Sequence, residues 1–256
     1  MKKGLILFSL ALVLFSSGCA MTTTVEIETR DWQEVFRLTE TWEHDKTAYT
    51  EGLFLYGGDL YESTGLKGHS RLTRYRGSSQ KEIAAEQKFG ADIFAEGSAV
   101  LNGTLYMLTW RNKVALRFDP ETLEPKDSLS YPREGWGLTT DGRELIASDG
   151  SDCLYFMDEA LRVTKTLRVS GGGKKLKNIN ELEYDGQYIW ANVFKKSYLV
   201  AIDPETGNVV QKVDFSTLLP ENASKEYCLN GIAFDGTYYY FTGKNWPVMY
   251  KMEQIG

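Results

Sequence analysis

The sequence is nearly without histidine. His44 and His69 are the only two, and Cys19, Cys153 and Cys228 are the only cysteines. A structural zinc site and a histidine-based catalytic triad are therefore both poorly supplied. Catalysis must rest on carboxylates, Lys, Tyr or Trp. Helical periodicity of any length is also missing. So is a basic stripe: 29 Lys and Arg against 35 Asp and Glu leave a net charge of −6, which argues against nucleic acid as a partner. The one compact basic cluster, Lys174, Lys175 and Lys177, follows three glycines and reads as a solvated loop. The longest apolar run, Leu5 to Phe15, is short for a membrane span.

That run has the shape of an export signal. Lys2 and Lys3 precede it, and Ser16-Ser17-Gly18-Cys19 follows, similar to a lipobox apart from Ser16, where an aliphatic residue is usual. We expect residues 1–18 to be a lipoprotein signal peptide with Cys19 as the lipidation site. The alternative is an ordinary secretory signal cleaved nearby. Residues 19–31, polar and rich in Thr and Glu, read as a tether, and 32–256 as a single domain. The expected location is the bacterial cell envelope, periplasmic or surface side, with the membrane touched through the lipid alone. Cys153 and Cys228 then either pair or remain as two buried thiols.

What the sequence has in plenty is aromatic residues, at 13%, and internal repetition. Five segments share one pattern: Glu51 to Gly65, Glu96 to Trp110, Gly135 to Gly150, Asn180 to Phe194 and Asn230 to Lys244. Each opens on a small or acidic pair and runs through a short apolar stretch. Each then turns at Gly-Asp, Asn-Gly or Asp-Gly and continues as an alternating aromatic strand. Copies recur at about 40 to 50 residues, the period of a four-stranded propeller blade. Asp119-Pro120-Glu121-Thr122 and Asp203-Pro204-Glu205-Thr206 mark matching turns further on. The pattern predicts an all-β, five-bladed β-propeller. After the fifth hairpin only one strand's worth of chain remains, so the run Glu34 to Trp42 is expected to join the last blade and close the ring. An open sandwich of the same hairpins is the alternative.

In a propeller the loops entering the innermost strands gather at one mouth. The repeat starts Glu51, Glu96, Glu134, Asn180 and Asn230 are expected to converge there. Tyr49, Phe94 and Trp136 accompany them, and Trp110, Phe194 and Lys244 arrive from strand ends. An aromatic mouth with a few carboxylates and one lysine suits a small substrate. Each residue also has a plainer reading: a strand-end Trp is more often rim packing, and Lys244 in a Gly-Lys-Asn turn would ordinarily face solvent.

From His44 onward the chain resembles the plant-latex and bacterial type of glutaminyl-peptide cyclotransferase. The resemblance is carried by Tyr49-Thr50-Glu51-Gly52, Phe94-Ala95-Glu96-Gly97, Leu108-Thr109-Trp110, Glu134-Gly135-Trp136-Gly137, Asn180-Glu181-Leu182-Glu183 and Thr242-Gly243-Lys244-Asn245-Trp246, in this order. It implies an enzyme that cyclises the N-terminal glutamine of peptides or proteins to pyroglutamate with loss of ammonia, acting as a monomer. It implies Glu96 as the proton-shuttling residue, with Trp110, Trp136, Asn180, Lys244, Phe94, Tyr49, Glu51 and Phe194 around the substrate. No metal is implied for the chemistry, and a structural calcium in the channel is compatible with the resemblance. Two departures matter. Glu51 stands where the family usually has Gln, and Phe194 where it usually has Trp. A non-enzymatic envelope propeller that binds or assembles, and a metal-dependent hydrolase using Asp and Asn ligands, are the competing readings.

Overall fold

In the computed structural model, residues 27–256 are described; the leader and the lipidation site at Cys19 lie outside them. The described residues form five propeller blades, each built on four antiparallel strands. Blade one is Thr50–Tyr56, Asp59–Thr64, Arg71–Tyr75 and Ile83–Lys88. Blade two is Ala95–Leu101, Thr104–Thr109, Val114–Phe118 and Pro125–Ser130. Blade three is Leu138–Thr140, Leu145–Ser148, Cys153–Met157 and Val163–Arg168. Blade four is Ile179–Tyr184, Ile189–Val193, Tyr198–Ile202 and Val209–Asp214. Blade five is Leu229–Phe234, Tyr238–Gly243 and Val248–Gln254, completed by Phe36–Glu43 from the start of the chain.

That last strand pairs antiparallel with Val248–Gln254, so the first and last thirds of the chain share one sheet. The closing run is shorter at its start than the sequence suggests, because Trp32–Val35 forms one helical turn capped by Asp31. Thr29–Asp31, read as the end of a tether, instead adds a parallel strand to the outer edge of blade four. The propeller's sheets thus take in residues before position 32.

The predicted turns form by local chemistry. Asn102 and Gly103 both take positive φ, the requirement of a tight hairpin. In Asp185-Gly186 the Asp carboxylate accepts from the backbone N–H groups of Gln187 and Tyr188, both at 2.7 Å. Asp235 repeats this with Thr237 and Tyr238. The two Asp-Pro-Glu-Thr turns match in detail: Asp119 accepts from Glu121 and Thr122, and Asp203 from Glu205 and Thr206.

The innermost strands crowd the axis, which explains the small residue that opens most repeats. A Cβ at Gly97 would lie 2.3 Å from the Leu138 nitrogen, and one at Gly137 only 2.0 Å from the Asn180 carbonyl oxygen. Larger residues would force the blades apart. Apolar side chains fill the space between neighbouring blades, as where Trp190, Phe36, Tyr239 and Phe241 meet between blades four and five. Cys153 and Cys228 are separate buried thiols. His44 is buried too, held by the Trp246 carbonyl at 2.7 Å and Glu62 at 3.0 Å. It locks the loop entering blade one, while His69 is exposed.

Candidate active site

Four of the five innermost strands are irregular where the repeats begin. The ladder register shifts between Thr50 and Gly52, Ala95 and Ser98, Ile179 and Leu182, and Leu229 and Ile232. A bulge re-aims the residue it contains. The residues inside these shifts include Glu51, Glu96, Asn180 and Asn230, all buried. Local backbone irregularity thus accompanies three polar side chains that line the cavity, Glu51, Glu96 and Asn180, and a fourth, Asn230, that bonds Asn180.

All nine residues predicted for the site line one cavity of about 190 Å³. The walls form a nearly continuous ring. Tyr49 meets Phe94 at 6.3 Å between ring centroids, and Phe94 meets Trp110 at 5.4 Å. On the other side Trp136 meets Phe194 edge to face at 5.6 Å. Glu134 joins these arcs: its carboxylate accepts from the Trp110 indole at 3.1 Å and, at the limit of contact, from the Trp136 indole at 3.5 Å. Arg111 donates to the same carboxylate at 2.9 Å. Lys244 closes the circle, with its ammonium 4.4 Å from the Tyr49 ring and 5.8 Å from the Phe194 ring. Trp136 lies against Gly150, where a Cβ would sit 2.7 Å from the indole.

The floor is polar. Lys244, expected to face solvent on turn chemistry alone, is 2% exposed and forms an ion pair with Glu51. Its backbone N–H is fixed by the Cys228 carbonyl at 3.0 Å. Asn180 donates to Asn230 at 2.9 Å, which leaves its carbonyl oxygen and its second N–H for a ligand. Asn230 in turn donates to the Thr50 carbonyl at 2.8 Å.

Glu96 is buried and has no cation of its own. Burial, together with the neighbouring Glu51 charge, holds its carboxyl well above the usual range, against the pull of Lys244. Burial pushes Glu51 up, while Lys244 and a hydrogen bond from Glu96 pull it back. Burial also disfavours the Lys244 ammonium, but Glu51 and Glu96 outweigh it and keep Lys244 protonated. The mouth therefore holds one cation and two coupled carboxyls, with Glu96 as the group that titrates high. Glu51 faces the pocket and is a titrating neighbour.

Glu134 and Asn230, expected at the mouth as repeat starts, support the site from behind its lining: Glu134 holds the two indoles and Asn230 holds Asn180. The signal for Glu134 was its place as an acidic repeat start two residues before a pocket Trp. Along the axis behind the pocket stand Glu181 and Glu183. The two Glu181 oxygens accept from the backbone N–H groups of Leu53 at 3.2 Å and Ile232 at 2.9 Å. Glu183 accepts from the Phe234 N–H at 2.9 Å and the Thr139 hydroxyl at 3.2 Å. Calcium seeks six to eight oxygens. These four already serve protein donors, and no cluster of three metal-ligating side chains converges among the described residues. Glu181 and Glu183 therefore do not supply a carboxylate cage for calcium.

The chain matches the family model described as glutamine cyclotransferase over residues 10–254. A glutaminyl-peptide cyclotransferase of Arabidopsis thaliana is 33% identical over 219 residues, covering 82% of this chain and 68% of the relative. The crystal structure of Myxococcus xanthus glutaminyl cyclase superposes with a TM-score of 0.78 at 30% identity, covering 86% of this chain and 97% of that one.

Proposed function

The chain belongs to the glutamine cyclotransferase family, and on that premise we propose how its own residues convert an N-terminal glutamine to pyroglutamate. The glutamine side chain enters the aromatic ring, walled by Trp110, Trp136 and Phe194. The neutral α-amine attacks the γ-carboxamide carbon. Ionised Glu96 takes a proton from the attacking nitrogen and hands it to the departing amide nitrogen. A C–N bond forms, the original amide C–N bond breaks, and ammonia leaves. A carboxyl held high by burial is a stronger base, once ionised, than a solvated one.

The developing oxyanion falls to Lys244 and Asn180, two donors that share the cavity with Glu96, while the Trp110 and Trp136 indoles are engaged by Glu134. Lys244 keeps its charge through Glu51, and Asn180 keeps its orientation through Asn230. Glu134 fixes the two tryptophans. The observation that carries this reading is Glu96 itself: a buried carboxyl, raised by its surroundings, inside a cavity that also holds a buried cation. The test is ammonia release from a glutamine-initiated peptide. Wild type is expected to release it, and a Glu96→Gln variant with undiminished release would overturn the role given to Glu96.

We further propose that the enzyme resides at the cell envelope. The Lys2 to Cys19 pattern supports export and a lipid on Cys19. No helix among the described residues is long and apolar enough to cross a membrane. Labelling with a radioactive fatty acid tests the anchor: a Cys19→Ala variant should lose the label, and retention of it contradicts the assignment.

A further inference from the structure

The two ends of the propeller differ in charge. The turns at the end away from the pocket are built on acids, among them Asp119, Asp141, Asp158, Asp185, Asp203 and Asp235, each capping backbone N–H groups. The loops at the mouth carry most of the exposed lysines. Three of these, Lys195, Lys196 and Lys225, line one groove with Ser197, Ser224 and Cys228.

This groove and the pocket share a wall. Phe194 lines the pocket, while the next residue, Lys195, lines the groove and holds its ammonium 5.1 Å from the Phe194 ring. Cys228 stands between the two spaces, its carbonyl accepting from the backbone N–H of pocket residue Lys244. None of the three groove lysines makes an ion pair among the described residues, whereas Lys175 on a neighbouring loop is tied to Asp152 at 3.5 Å. Glu221 and Glu226 belong to the same loop as Lys225 but are exposed and do not line the groove.

A substrate whose first residue fills a cavity of about 190 Å³ must lead the rest of its chain out over the rim. An extended chain advances about 3.3 Å per residue, so the second to fourth residues pass over the nearest loops. Resting on the cyclase reading, we infer that this lysine groove receives acidic side chains just after the N-terminal glutamine, so that glutamine-initiated acidic peptides are the preferred substrates. Three unpaired cations beside the entrance raise the local concentration of such chains, an effect that salt weakens.

The experiment compares ammonia release from three matched peptides that begin with glutamine and continue with Asp and Glu, with Ala, or with Lys. At low ionic strength kcat/KM should fall in that order, by about tenfold from first to last. The spread should shrink in high salt. A K196E/K225E variant, altered at two exposed positions, should reverse the order. Equal kcat/KM for all three peptides with wild type, or an order unchanged by the variant, overturns this inference alone. No ammonia from any peptide overturns the cyclase reading and this inference with it.

Discussion

Two pairs of buried glutamates stand on the innermost strands, and they do opposite things. At the mouth, Glu51 and Glu96 face a cavity and a buried cation. In the channel, all four oxygens of Glu181 and Glu183 accept from backbone N–H groups or a threonine hydroxyl. Burial raises the carboxyls of both pairs, Glu181 well above the usual range and Glu183 to about 8. A raised pKa therefore does not by itself mark a catalytic acid. What separates the pairs is whether the carboxyl has a free face toward space that a substrate can occupy. The channel pair works as a brace: Glu181 ties blade four to blades one and five by hydrogen bonds to backbone that lies 128 and 51 residues away.

Exchanging carboxyl for amide on each side should break this comparison cleanly. The largest effect is expected from Glu96→Gln, which should lower kcat by about 10² to 10⁴ while the melting temperature holds, because it removes a general acid–base group. Glu181→Gln should do the reverse. It sets an amide NH₂ against a backbone N–H that had an acceptor, at a cost of about 1–3 kcal/mol. Thermal unfolding should show a drop of several degrees with kcat intact.

A smaller effect concerns Glu183. Its folded pKa of about 8 lies above the ordinary 4.5, so the folded state keeps a proton that the unfolded chain has lost. That contribution to stability is full below pH 4.5 and lost as the pH rises to about 8. Urea unfolding at intervals across this window should show a slope in wild type that is shallower in Glu183→Gln. Identical slopes would mean that Glu183 titrates normally.

Much of this architecture was legible in the sequence. Asn-Gly and Asp-Gly turns, repeated five times between alternating strands, specify hairpins through local chemistry, and the shortage of chain after the fifth hairpin pointed to closure by the N-terminal run. The pocket residues were readable through their resemblance to a known family. The bulges at Glu51, Glu96, Asn180 and Asn230 were not, because the innermost strands are buried almost throughout and offer no inside–outside alternation for an extra residue to interrupt. Nor was the brace. Asn180-Glu181-Leu182-Glu183 alternates like a half-solvated strand, and nothing local shows that its carboxylates meet distant N–H groups. Lys244 was placed at the mouth by its strand-end position and by the resemblance, but its burial was not legible: turn composition points to solvent, whereas Glu51 and two aromatic rings from other parts of the chain enclose it.

The most direct test of the difference between the pairs is the pH dependence of kcat/KM for wild type, Glu51→Gln and Glu181→Gln with one glutamine-initiated peptide. The substrate amine titrates identically in all three, so a shift between profiles belongs to the enzyme. Removing the Glu51 charge removes a cause that holds Glu96 high and leaves Glu96 as the remaining carboxyl that favours the Lys244 ammonium, a pairing that pulls Glu96 down. The acid limb of Glu51→Gln should therefore move to lower pH, and that of Glu181→Gln should coincide with wild type. A limb that moves with Glu181→Gln, or stays in place with Glu51→Gln, would contradict the assignment of the mouth pair as the working carboxyls.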